Sequence, residues 1–214
     1  MILCIDTATE QSGVALVGDE KKNSFLSLDR LHTSDDILKK INQLINKPGV
    51  RLSDIKGIFV VKGPGSFTGL RVGISVANQF AHQLGIPIVG IYCDELYSYK
   101  TKEKDYFYLL SMNTDQVYMV GYGKYRRDYP REIISISECH YELASNPGLM
   151  ILGQLTEKHR NYFKNINEVP IPITSKEIWS KLAQENPFTA HKKYKLVEPY
   201  YAKLPTITKS NKKI

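Results

Sequence analysis

The residue types best suited to chemistry lie in the stretch 62–73, Lys-Gly-Pro-Gly-Ser-Phe-Thr-Gly-Leu-Arg-Val-Gly. It follows the apolar, β-branched run 58–61 and opens into helical periodicity, which makes it a strand-to-helix turn. Gly63, Gly65 and Gly69 allow left-handed backbone and the close approach of another chain or an anion, and Pro64 stiffens the turn between them. Ser66 and Thr68 are natural N-cap residues, so the N–H groups of the helix start would face a carboxylate or phosphate, with Arg71 one turn further in. Thr7 and Thr9 follow Asp6 at the end of an earlier apolar run. Together with Gly63, Gly65, Ser66 and Thr68 they form the candidate site for a weakly held nucleotide or anion. A glycine-rich turn with no ligand fits the same residues. The lysine precedes the glycines, which excludes a Walker A loop, and G-x-G-x-x-G is absent.

The elements that must position these groups follow from hydrophobic period and turn chemistry. Strands are expected at 2–6, 12–17, 24–28, 58–61 and 88–92. A helix capped by Thr33, Ser34 or Asp35 places Ile37, Leu38, Ile41, Leu44 and Ile45 on one face before Pro48-Gly49 stops it. The helix after the glycine-rich turn has two faces: small residues Gly69, Gly73, Ala77 and Ala81 every fourth position, suited to a second helix, and Leu70, Ile74, Phe80 and Leu84 for its own core. The order β-β-β-α-β-α-β, with a carboxylate closing the first strand, is that of the ribonuclease H-like and actin-like ATPase superfamily. Strands at 106–112, 116–122, 132–136 and 149–152 and a helix at 175–184 repeat it raggedly. The expected fold is α/β with two such subdomains, 1–100 carrying partner-binding helices and 101–202 reduced. The boundary falls in the charged run 100–104, and 203–214 is a basic tail.

The chain has 214 residues, 42% hydrophobic and 24% charged, an ordinary globular composition. No transmembrane run or signal peptide is visible, so a cytoplasmic protein without membrane contact is expected. Cys4, Cys93 and Cys139 are scattered and odd in number, the pattern of reduced thiols. Of the net charge of +7, most comes from 191 onward, with seven lysines against Glu198. Such a tail is a solvated terminus or a contact for RNA or an acidic partner. The loop 124–131, basic and aromatic, is the stronger nucleic-acid candidate, whereas Tyr92, Tyr97, Tyr99, Tyr106 and Tyr108 alternate as half-buried sheet residues do.

Ile5-Asp6-Thr7-Ala8-Thr9, His32, the whole run 63–73 and Pro199-Tyr200-Tyr201 resemble the TsaB (YeaZ) family, closely over 1–92 and in outline beyond. The resemblance implies a part in building N6-threonylcarbamoyladenosine in tRNA. It implies a non-catalytic subunit, with no catalytic residue, metal or cofactor of its own, that activates a TsaD-type paralogue. ATP would enter, if at all, at the level of the complex. A TsaE-type ATPase joins the pair, tRNA is met indirectly, and the chain alone pairs with itself through the same helical surface. The positions here that suit that surface are His32, Ile37, Ile41, Gly69, Arg71, Gly73, Ala77 and Ala81.

Rival chemistries meet specific obstacles. A two-metal nuclease needs a second carboxylate at the end of the fourth strand, where Lys62 stands. An independent ATPase or phosphotransferase needs a phosphate-gripping hairpin in the second half, where Met112-Asn113-Thr114-Asp115-Gln116 has no glycine and lacks the arginine of the family's usual Asp-Ala-Arg. A metalloprotease needs closely spaced ligands, and His32, His82, His140, His159 and His191 have no such spacing. Asp6 is either a functional carboxylate or one that hydrogen-bonds its own turn.

Overall fold

The computed structural model describes residues 1–29, 32–145, 148–163, 166–169, 175–185, 188 and 194–202. The basic tail expected at 203–214 and His191 lie outside the described residues. Ten strands form two five-stranded sheets.

The first sheet holds β1 (Ile2–Asp6), β2 (Gly13–Val17), β3 (Ser24–Ser27), β4 (Gly57–Gly63) and β5 (Ile88–Tyr92) in the order β3-β2-β1-β4-β5. β1 pairs antiparallel with β2, Ile2 opposite Val17, and parallel with β4, Ile2 opposite Gly57. Leu3, Ile5, Val14, Leu16, Ile58 and Val60 are wholly buried, as central strands covered on both faces require. Two helices flank this sheet. α1 (Thr33–Ile45) buries Ile37, Ile41 and Leu44 and leaves Leu38 53% exposed, at variance with the single apolar face expected. α2 (Phe67–Leu84) starts at Ser66, whose Oγ accepts from the Gly69 N–H, and ends at Gly85 in left-handed backbone. α3 (Cys93–Ser98) follows β5 directly.

The second sheet repeats the plan. β6 (Phe107–Ser111) pairs antiparallel with β7 (Gln116–Gly121), which pairs with β8 (Glu132–Ser135). After α4 (Ile136–Ala144), β9 (Met150–Gln154) lies parallel to β6, and α5 (Glu157–Tyr162) leads to the two-residue β10 (Asn167–Glu168). The order β8-β7-β6-β9-β10 matches β3-β2-β1-β4-β5 position by position. A meander of three strands followed by two parallel crossovers, present twice, is the ribonuclease H-like and actin-like fold. The second copy is reduced in its last helix and strand.

The boundary run 100–104 opens with Lys100, only 2% exposed, and goes on through the exposed 102–104 to the start of the second sheet. The chain also returns to the first sheet. α6 (Ser175–Glu185) packs on β2 and β3, and Ile178, Trp179 and Leu182 join that core. Phe188 lies on Phe59 with ring centroids 4.6 Å apart, and Asn78 on α2 exchanges two hydrogen bonds with the Val197 backbone at 2.8 and 3.0 Å. Structurally, α6, Phe188 and residues 194–202 complete the first half. Among the described residues no helix is long and apolar enough to cross a membrane.

Candidate functional site

The glycine-rich turn sits where β1, β4 and α2 meet. β1 delivers Asp6 at its end, 2% exposed. Asp6 Oδ1 accepts from the N–H groups of Ala8 (2.9 Å) and Thr9 (3.1 Å), and Oδ2 accepts from Thr9 Oγ1 (2.5 Å). Burial raises the Asp6 carboxyl above its usual range, while these hydrogen bonds pull it back. The carboxylate is thus turned into its own loop.

That loop is seated on α2. Thr7 Oγ1 donates to the Gly69 carbonyl at 2.6 Å, and Ser66 N–H donates to the Ala8 carbonyl at 3.2 Å. A Cβ at Gly69 would overlap the Thr7 carbonyl, and one at Gly73 would overlap the Thr7 side chain. The small residues therefore let the chain's own turn lie against the helix. On the opposite side the C-terminal segment roofs the turn. Tyr200 N–H donates to the Lys62 carbonyl at 2.7 Å, and Gly63, at φ +118°, has no room for a Cβ beside the Tyr200 carbonyl. Tyr201 packs on Phe67 and its hydroxyl accepts from Arg71 Nε at 3.3 Å. Cys93 Sγ donates to the Pro64 carbonyl.

In the candidate anion site, Thr7 Oγ1 donates to the Gly69 carbonyl and Thr9 Oγ1 to Asp6, and Gly65 and Gly63 admit Ala8 and Tyr200. Ser66 caps α2, Thr68 is exposed, and Thr7, Thr9, Ser66 and Thr68 together line a cavity of about 150 Å³ between the starts of α1 and α2, with Ser12, Thr33 and Ser34 beside them. As a partner surface, Ile37, Ile41, Gly69, Gly73, Ala77 and Ala81 are turned inward and buried, because both faces read from α2 belong to one broad apolar side. His32 and Arg71 are exposed. His32 precedes α1 and pairs with Asp29 at 3.0 Å, which raises its imidazole pKa. Leu38 is an exposed apolar side chain of the helix pair, and Ile45, Val72, Val76 and Phe80 are half-buried against the core.

A polar joint between the halves went unseen in the sequence. Asp94 on α3, fully buried, accepts from Tyr118 OH (2.9 Å), Tyr122 OH (2.8 Å) and the Arg131 guanidinium (2.9 Å). Arg131 also binds Glu95 at 2.8 Å and lies over the Tyr92 ring, so it leaves the basic loop to which the sequence assigned it. Lys100 Nζ donates to Gln11 Oε1 at 2.8 Å and sits 3.5 Å above the Tyr97 ring, and burial lowers its pKa to about 8. Gln154, at the end of β9, accepts from the Glu10 N–H at 2.6 Å. No signal marked Lys100, which stands between Tyr99 and Thr101 at the head of a charged run.

Comparison with known proteins places this geometry. A family model described as TsaD, tRNA N6-adenosine threonylcarbamoyltransferase, matches residues 28–199. The tRNA threonylcarbamoyladenosine biosynthesis protein TsaB of Escherichia coli K12 is 38% identical over 90 residues, 42% of this chain and 39% of that protein. The TsaB of Buchnera aphidicola subsp. Schizaphis graminum is 32% identical over 136 residues, 60% and 61%. The match thus spans about two fifths of the length of the Escherichia coli relative. YeaZ from Pseudomonas aeruginosa, a solved structure, superposes with a TM-score of 0.68 at 18% identity over 94% of this chain and 98% of that one.

Proposed function

The chain belongs to the family whose model is described as TsaD, tRNA N6-adenosine threonylcarbamoyltransferase, and from that premise we propose that it is a TsaB-type, non-catalytic scaffolding and activating subunit of the tRNA N6-threonylcarbamoyladenosine transferase complex. It pairs with a TsaD-type catalytic subunit. The observation that supports the non-catalytic part is the inward turn of Asp6: its oxygens accept from Ala8 and Thr9, and Gly63 and Gly65 of the turn are packed by Tyr200 and Ala8. A carboxylate held this way supports its own loop. ATP belongs to the complex, where a TsaE-type ATPase joins, and tRNA is met through it.

The pairing surface is the outward side of α1 and α2, where Leu38, Val72 and Val76 offer apolar area. Homodimers of the chain alone use the same side. The test is light-scattering chromatography of the chain with the TsaD-type protein of the same genome. Leu38→Asp and Val76→Asp should abolish the heterodimer; Leu38→Asp, at a side chain 53% exposed, should shift unfolding by less than about 1 kcal/mol, and Val76→Asp, at a half-buried one, by more. A heterodimer that survives both changes moves the surface elsewhere. Magnesium-dependent ATP hydrolysis by the chain alone, lost in Asp6→Asn, would replace this reading by an independent phosphotransferase.

A further inference from the structure

We propose that the corner of the second half formed by Lys102, Lys104, Lys124, Arg126 and Arg127 is a contact for the phosphodiester backbone of RNA. Its presumed ligand rests on the reading above, in which the complex acts on tRNA.

Two short segments, the mixed-charge 102–105 and the basic 124–127, twenty residues apart in sequence, are brought together by one backbone feature. Gly123 lies in left-handed backbone at φ +63° and opens the short 3-10 turn Gly123–Tyr125. A Cβ there would overlap the Lys104 carbonyl and the Asp105 carboxylate, so glycine is what allows the turn to rest on residues 104–105. Asp105 Oδ1 then accepts from the Lys124 N–H at 2.9 Å. That carboxylate is used to join the segments, and Asp128 is paired with Arg127 at 3.1 Å. All five cationic side chains are exposed. Among the described residues Lys102, Lys104, Lys124 and Arg126 have no ion-pair partner; against the five cations stand Glu103, Asp105 and Asp128, so the corner keeps an excess of two positive charges. The arginine and one lysine are steadied by rings, Arg126 5.5 Å from the centroid of Tyr122 and Lys124 4.9 Å from that of Tyr125.

Unpaired cations gathered on a fixed turn raise the local potential and gain by neutralising phosphates, with release of condensed counterions. Base edges are not addressed, because the half-buried Tyr125 and Tyr129 pack on Phe107 and present no free stacking face. The contact is therefore sequence-independent and positions the nucleic acid without selecting it.

The experiment is binding of an unmodified tRNA transcript to the assembled complex over a salt series. The triple variant Lys104→Gln, Lys124→Gln, Arg126→Gln is compared with a charge-matched control, Lys21→Gln, Lys56→Gln, Lys181→Gln, placed near the start of β1 and on α6. Each lost phosphate contact lowers the slope of log K against log salt by roughly 0.7–0.9. The triple variant should therefore reduce the slope by about 2 and the affinity roughly tenfold at low salt, with the control unchanged. Heterodimer formation, read by chromatography on the same samples, must persist. Loss of pairing in the wild type overturns the functional reading, whereas intact pairing with an unchanged slope overturns only the RNA contact. An equal drop in the control reduces the effect to net charge and overturns it as well. Loss of an acidic protein from the complex with tRNA binding intact would assign the corner to a protein partner.

Discussion

The two halves share one strand order and differ in what closes the end of the central strand. In the first, Asp6 gathers two N–H groups and a hydroxyl of its own loop, and β4 leads through the glycine-rich turn into the 18-residue α2. In the second, Ser111 takes the equivalent place at the end of β6, accepting from the Thr156 N–H at 2.9 Å and meeting His159 Nδ1 at 2.8 Å. His159 Nε2 faces the Thr114 carbonyl at 3.0 Å, and β9 leads through two residues into the 6-residue α5. A serine–histidine pair does for a short crossover what a buried carboxylate does for a long one. The lesson is a division of labour within a duplicated plan. The half that kept its long helix carries the surface proposed above for pairing, and the reduced half is tied to it by Asp94.

The largest way to break that comparison is to cut the tie. Asp94→Ala leaves the Arg131 charge and two tyrosine hydroxyls without their shared partner and should cost roughly 3–4 kcal/mol in urea unfolding. If the halves were independent, only the second would soften. Next, Gly69→Val drives a branched side chain into the Thr7 carbonyl and should cost about 3 kcal/mol, since backbone cannot yield as a flexible side chain would.

Lys100 gives a pH test of the joint. Its folded pKa of about 8 lies below the unfolded value near 10.5, so between those values the unfolded chain binds more protons and this group's contribution to stability rises with pH. Thermal melts from pH 8 to 10 should show wild type gaining on the order of 2 kcal/mol relative to Lys100→Met, which lacks the titrating group. Parallel curves would mean that the amine stays solvated. The smallest effects compare the caps. Ser66→Ala and Ser135→Ala each remove a hydroxyl that accepts from the N–H three residues on, and each should cost about 1 kcal/mol. A much larger loss at Ser66 would mean that the glycine-rich turn depends on its cap more than its packing implies.

Much of the fold was legible because its signals are local. Runs such as 2–6 and 88–92 give their strands residue for residue, and Pro48-Gly49 and Gly85 end their helices. α3 to α5 were missed because helices of six to nine residues carry too few turns for a periodic pattern, and 132–136 reads equally as one strand or as a strand with Ile136 opening a helix. The site was legible in its residues and not in their direction. Gly69, Gly73, Ala77 and Ala81 do mark a close approach, but a stripe of small side chains cannot say whether the neighbour is a partner helix or Thr7. Asp94 and Arg131 are 37 positions apart and joined only by the packing of the two sheets.

The return of the C-terminal segment to α2 has a consequence for the order in which the protein is made. Asn78 and Val197 are 119 residues apart. At a synthesis rate of roughly 5–20 residues per second, about 6 to 24 s separate them on the ribosome. Through that interval the first-made half has its sheet but not its closing contacts at Phe59, Gly63 and Asn78. A nascent chain arrested before residue 194 should therefore expose the glycine-rich turn to protease until the last residues emerge and lay Tyr200 across it.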